Sequence, residues 1–263
     1  MILEPFQQSL IVLVAMSVIM ALLWIRQRST GDAGTVDVGW SAGLGFAAIL
    51  YAVTSDGVLL RRILLAVLAG GWSFRLASYL LYYRIFQGEE DGRYQRLRAQ
   101  WGDKAGFYFF IFFQLQAFLV SLFSLPFLVV AHSQEPALTG FDILGILIFV
   151  VAVAGEGLAD RQLARFRSNP TNKGKTCRQG LWHYSRHPNY FFEWVHWWAY
   201  VALAYGSPYW WITLLGPIIM WIFLFKVTGI PATEEQAIAS RGDDYREYQR
   251  TTSQFFPWFP LED

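Results

Sequence analysis

The feature that most limits what this chain can fold into is its repeated run of about 20 residues almost free of charge, the length a helix needs to cross a hydrocarbon layer of about 30 Å. Seven such runs are legible: Ser9–Ile25, Val38–Val53, Leu59–Tyr83, Phe107–Val130, Ile143–Leu158, Tyr190–Tyr205 and Trp210–Val227. A backbone in lipid must satisfy its own N–H and C=O groups, and a helix does so within itself. The expectation is an all-α, polytopic bundle of seven transmembrane helices with a short C-terminal cytoplasmic helix. Only 16% of residues are charged, against roughly a quarter in soluble domains.

The second run is short, and its small residues Gly39, Gly43, Gly45, Ala47 and Ala48 would let neighbouring helices approach closely. The N-terminal run lacks a basic leader and a small-residue cleavage site, so it reads as a retained first helix. No linker or repeat divides the chain; it reads as one membrane domain with a cofactor-binding half at about 142–263.

Charge placement orients the helices. Of the 21 Lys and Arg residues, Arg61 and Arg62 lie at the end of the third run on one side and Arg75 lies inside that run; nearly all the rest gather on the other side. The positive-inside rule makes that basic side cytoplasmic, with the N-terminus facing away and the C-terminus inside. The net charge of +1 offers no global field for nucleic acid. A single cysteine, Cys177, excludes an internal disulfide, and the four histidines show no metal-ligand spacing, so no metal is expected.

The segment from Asp160 to Asn189 carries Arg161, Arg165, Arg167, Lys173, Lys175, Arg178 and Arg186, with no acid after Asp160. Two readings stand: a loop touching anionic lipid, or a polyanion site in which Arg forks and Lys charges meet phosphates. Asn169, Asn172 and Asn189 add neutral donors, and Trp182, Tyr184 and Tyr190 could stack on a planar ring. A nucleotide cofactor would use all of these together.

Several polar groups lie in or beside the apolar runs. Glu156 and Asp160 are one turn apart near the cytoplasmic end of the fifth, and Glu193 and His196 open the sixth. Asp37 begins the second run, either as a helix N-cap or as an acid at the cytoplasmic mouth beside Trp40. Arg75, Tyr79 and Tyr82 share one helical face, and an intramembrane arginine should face an interior or a wet cavity. The tail from Glu234 reads as one acidic amphipathic helix ending in a proline-aromatic stop, lying on the membrane surface or folding over the basic loop.

The run Gly180-Leu-Trp-His-Tyr-Ser-Arg-His-Pro-Asn-Tyr190 with Glu193, together with TVDVGW around Asp37 and EEQ…RGDDYREYQRTTSQFFPW at the end, resembles the steroid 5-alpha-reductase family, most closely its bacterial branch. The resemblance covers most of the chain from Asp37 onward. It implies a bacterial inner-membrane enzyme in which seven helices enclose NADPH from the cytoplasmic side, with hydride passing to the β-carbon of a lipophilic enone such as a Δ4 3-oxo steroid. The family's pair on the fifth helix falls on Glu156 and Asp160, its following arginine on Arg167, and its signature asparagine and acid on Asn189 and Glu193. The helix-three arginine and tyrosine fall on Arg75 and Tyr79, the ketone-polarising carboxylate on Asp37, and the partner tyrosine position is Trp72.

On that resemblance Asp37 and Tyr79 are the catalytic candidates, and Trp40, Trp72, Arg75 and Trp197 the substrate-binding ones. Cofactor binding is expected from Tyr79, Arg84, Glu156, Asp160, Arg167, Lys175, Arg178, Tyr184, His187, Asn189, Tyr190, Glu193, Glu234 and Glu235. Asp37 could donate a proton if an apolar site kept it protonated. The substrate would reach the site from the bilayer, and membrane lipid would be the surrounding partner. Membrane S-adenosylmethionine-dependent methyltransferases of the isoprenylcysteine carboxyl and phospholipid types share Arg186-His-Pro-Asn-Tyr190 and Glu234-Glu235, and they remain the alternative.

Overall fold

The computed structural model describes residues 2–82, 90–227 and 229–261. Among them every regular element is helical and there is no strand. Contacts divide the chain into two compact units, Met1–Ala137 with Gly206–Thr213, and Leu138–Tyr205 with Leu214–Asp263.

The first unit is built on α1 (Pro5–Thr30), α2 (Thr35–Thr54), α3 (Leu59–Leu65), α4 (Gly71–Leu80), α5 (Gly92–Trp101) and α6 (Ala105–Ala131); a π turn over Ala66–Gly70 joins α3 to α4 without a break. α2 is its centre, and the small residues on it do what their size predicts. A Cβ on Gly43 would meet the Met16 thioether of α1 and Val120 of α6, and one on Gly45 would meet Ser73 of α4. Ala47 and Ala48 are fully buried. Packing there is so close that Ser73 Oγ donates to the Ser41 carbonyl, and Tyr51 and Ser124 hydroxyls pair at 2.9 Å. α1 turns Leu10, Val14, Val18, Leu22 and Ile25 outward, each well exposed. Helices this long with so apolar an outer surface are suited to lipid, so this is an integral membrane protein.

The second unit is built on α7 (Gly140–Ser168), α8 (Leu181–Tyr184), α9 (Pro188–Ala204), α10 (Leu215–Ile222), α11 (Ile230–Arg241) and α12 (Asp243–Thr251). Thr139 and Asp142 form a capping box that starts α7. α7 and α9 pack closely: a Cβ on Gly145 would strike Leu203 and the Ala199 carbonyl, and one on Gly155 the Phe192 ring. The opposite face of α7, with Ile143, Leu147, Val150 and Val151, is exposed and apolar.

Among the described residues, six helical segments are long and apolar enough to cross a membrane, over Pro5–Thr30, Thr35–Thr54, Leu59–Leu80, Gly92–Ala131, Gly140–Ser168 and Trp210–Arg241. The seventh expected span, Tyr190–Tyr205, corresponds to α9. It has 17 residues, about 26 Å at 1.5 Å per residue, opening on Pro188 and followed by the turn at Gly206 (φ 87°). The expected single tail helix is two: Gly242, at φ 59°, divides α11 from α12 because a residue with a Cβ rarely adopts that backbone.

Candidate functional site

The second unit gathers most of the basic segment and the tail around one polar centre. Gly180 (φ 61°) opens α8, where a Cβ would collide with Gln162; that close approach lets Gln162 accept from Leu181 N at 2.9 Å. Trp182 is buried and donates its indole N–H to the Ala159 carbonyl, fixing α8 on α7. From there the chain passes through Arg186 and His187 into α9.

Glu234 of α11 holds this turn. Its Oε1 accepts from Arg186 Nε at 2.7 Å, from His187 Nε2 at 3.2 Å and from the Tyr245 hydroxyl at 3.4 Å, and its Oε2 accepts from Gln249 Nε2 at 2.9 Å. Arg186 also donates from Nη1 to the carbonyls of Gln249 and Thr252. Burial raises the Glu234 carboxyl, but the hydrogen bonds from His187, Arg186 and Gln249 and the Arg186 charge outweigh it and pull it down to about 2. Burial pushes the His187 imidazole down, the Arg186 charge adds to that, and Glu234 opposes both. Burial likewise pushes the Tyr245 and Tyr248 phenols up.

Beside this centre is a cavity of about 270 Å³. Asp160, Arg167, Asn189, Tyr190, Arg241 and Tyr245 are in its wall, with Trp182, His187 and Cys177. Asn189 Nδ2 donates to Asp160 Oδ1 at 3.1 Å, and the Tyr190 ring stacks on His187 at 5.4 Å and 9°. A second cavity of about 540 Å³ shares Arg167, Cys177, Thr233 and Arg241 with the first, and adds Lys173, Lys175, Asn172, Gln236 and Ser240. No acid is in the wall of this larger lobe. Among the described residues, Arg167, Lys173, Lys175 and Arg241 have no ion-pair partner within 4 Å; Arg241 instead lies over the Tyr245 ring at 5.2 Å. Burial and the nearby Arg167 charge push the Arg241 guanidinium down.

The other candidates divide as follows. Arg178 is tied to the tail through Asp244 and Glu247. Tyr184 is exposed and meets Phe259 edge to face, and Glu235 is exposed on α11. Glu156 and Glu193 are half-buried on α7 and α9, and Trp197 is fully buried in α9. Arg84 lies outside the described residues.

Asp37, Trp40, Trp72, Arg75 and Tyr79 belong to the first unit. Asp37 is not an N-cap: α2 starts at Thr35, capped by Gly34, and Asp37 in the first turn accepts from the Tyr94 hydroxyl at 2.6 Å and from Arg93 Nη2 at 3.3 Å. Trp40 packs edge to face on Phe123, Trp72 is buried, and Arg75 and Tyr79 are exposed on α4.

Sequence reasoning passed over Arg241, Tyr245, Tyr248, Thr176 and Tyr94. For α11 a signal existed: Thr233, Ala237 and Arg241 recur every four residues, one face of a helix, and all three are in the cavity walls. Among the described residues no three His, Cys, Asp or Glu side chains converge as a metal site.

Residues 23–252 match the model of a family described as "Protein of unknown function (DUF1295)". The chain belongs to the DUF1295 family. That family is related to steroid 5-alpha-reductase-like membrane proteins. This DUF1295 chain is 26% identical over 267 aligned residues to an uncharacterised protein of Schizosaccharomyces pombe, covering 90% of the chain and 76% of that protein. It is 31% identical over 125 residues to a probable O-methyltransferase of Ustilaginoidea virens, a match covering 45% of the chain and 43% of that protein. No solved structure matches.

Proposed function

We propose that the chain is an NADPH-dependent membrane oxidoreductase that reduces the carbon–carbon double bond of a lipophilic enone, of which a Δ4 3-oxo steroid is an example. The observation that carries this reading is the acid-free lobe with Arg167, Lys173, Lys175 and Arg241 in its wall. Four cations without carboxylate partners call for a polyanion. A diphosphate with a phosphate monoester supplies about four negative charges at neutral pH, the charge pattern of NADPH.

On this reading the four cations hold the phosphates, Asn172, Gln236 and Ser240 add neutral hydrogen bonds, and Tyr190 and Tyr245 in the adjoining cavity offer aromatic faces. Glu234 is fully used by Arg186, His187, Tyr245 and Gln249, so it positions that wall and leaves contact with the cofactor to its neighbours. NADPH supplies the hydride for the β-carbon. Negative charge then develops on the ketone oxygen, and a fixed donor there stabilises it. A proton taken up from water at the α-carbon completes the reduction. Counting α9 as a seventh crossing puts the basic loops and C-terminus in the cytoplasm of a bacterial inner membrane, with the N-terminus outside.

A second reading, transfer of a methyl group from S-adenosylmethionine, has its own support in the Ustilaginoidea virens match and in the joining of Arg186-His187 to Glu234. S-adenosylmethionine has no phosphate and would leave the four-cation lobe without a ligand. The deciding experiment is a titration of the detergent-purified protein with each nucleotide, read by calorimetry. Saturable NADPH binding that weakens with salt supports the reductase. Binding of S-adenosylmethionine with none of NADPH would overturn it.

A further inference from the structure

The tail past α12 is apolar, ordered and exposed. Phe256, Trp258, Phe259 and Leu261 are 51%, 71%, 74% and 70% exposed. Large side chains this exposed are unusual in a segment held by specific bonds. Ser185 Oγ donates to the Phe255 carbonyl at 2.8 Å, Arg186 N to the Ser253 carbonyl at 2.8 Å, and Trp258 N to the Tyr184 carbonyl at 2.9 Å. Leu261 N closes the loop on the Thr251 carbonyl at 2.9 Å. The aromatic side chains are presented on a rigid frame.

We infer that this segment is an interfacial anchor, a hook that inserts Trp258, Phe259 and Leu261 into the headgroup region of the bilayer the protein spans. The inference does not depend on which reaction is catalysed. Three features select a lipid surface. First, the tail is continuous with the end of an apolar spanning segment: the Phe255 ring lies 5.4 Å from Trp221 and 5.1 Å from Phe225, and Phe256 lies 6.0 Å from Trp221. It therefore emerges where α10 and its π-helical extension over Phe223–Val227 end, the level of the membrane boundary.

Second, its backbone needs little from water. Pro257 and Pro260 have no N–H to leave unmet, and the N–H groups of Trp258 and Leu261 are already bonded inside the protein. That leaves the N–H groups of Phe256 and Phe259, which the hydrated headgroup region can satisfy where the hydrocarbon core could not. Third, the side chains are a tryptophan and a phenylalanine flanked by Tyr184, whose ring meets Phe259 at 5.9 Å. Rings with an apolar body and a polar edge collect at membrane–water interfaces.

The anchor has a consequence for the cavity. The residues that the tail zips to, Tyr184 to Arg186, lead directly into His187 and Asn189 of the cavity wall. Insertion of the hook would fix that wall at a set depth beneath the membrane surface.

The test places a nitroxide at Trp258→Cys in a Cys177→Ser background, with Asp243→Cys as the water-exposed reference, in phosphatidylcholine vesicles. Oxygen and a water-soluble nickel chelate then report depth. The inference expects oxygen to dominate at 258 and the chelate at 243; equal chelate access at both positions overturns it and points to a protein partner or to a solvated tail. A second measurement needs no cysteine change. The fluorescence lost between the native protein and Trp258→Phe should be quenched by lipids brominated near the headgroup. A difference signal quenched by aqueous iodide and untouched by brominated lipid also overturns the anchor.

Discussion

Arg186 and Glu234 meet at 2.7 Å across 48 residues of sequence, and with side chains only 10% and 12% exposed they clasp the turn before α9 to α11. The pair is not isolated. His187, Tyr245 and Gln249 also converge on the same carboxylate, so its removal strands four donors at once.

Glu234→Ala is accordingly expected to destabilise the protein by about 3 kcal/mol, since breaking one side of a buried charge pair leaves the other uncompensated. Glu234→Gln keeps the shape and one acceptor and should cost less. Thermal unfolding in detergent measures both; equal, small losses would mean that Arg186 finds another partner.

The same centre sets a pH dependence. His187 is held below the ordinary 6.5, so the unfolded chain takes up its proton first. Stability therefore rises with pH through the window just below 6.5 and is flat above it. Glu234, lowered from 4.5 to about 2, contributes fully above 4.5, and that contribution is lost as pH falls towards 2. Unfolding midpoints should be level at neutral pH and fall in acid, and Glu234→Gln should remove the lower part of the fall. A midpoint that climbs between about pH 7 and pH 5 would contradict this sign.

In the larger lobe, Arg167→Ala and Arg241→Ala are each expected to weaken NADPH about tenfold or more, the scale of one lost charge-assisted bond at about 1.4 kcal/mol per decade. NADH, without the 2′-phosphate, should lose less. Parallel titrations decide it: equal losses for the two nucleotides at both positions would remove the 2′-phosphate role.

In the first unit, Tyr94→Phe takes from Asp37 the hydroxyl that it accepts at 2.6 Å, so a loss of about 1–3 kcal/mol in stability is expected. Thermal unfolding in detergent measures it, and an unchanged midpoint would mean that this bond contributes nothing.

Much of the architecture was written in local pattern. Apolar runs almost free of charge made α1, α2, α6 and α7 legible, and the glycines of α2 announced the close contacts that Gly43 and Gly45 make. The basic run after Asp160 was legible as seven cations with no acid among them, but not that Arg178 and Arg186 pair with carboxylates of the tail. Helix ends were less legible. α9 stops at Ala204 because of the turn at Gly206, and the tail breaks at Gly242; both are backbone choices that hydropathy does not register.

The sequence by itself determined that this is a helical membrane protein with a basic segment on one side, since hydropathy and charge are properties of residues in order along the chain. Only the tertiary structure decided which cations remain without a carboxylate. Arg178 and Arg167 look alike in sequence, yet Asp244 and Glu247 pair with the first while the second faces the cavity with Arg241. It likewise decided that Asp37 answers to Tyr94 and Arg93, 57 and 56 residues away. Pairing falls off steeply with distance in space and is indifferent to distance in sequence, so it is settled only when the helices have packed.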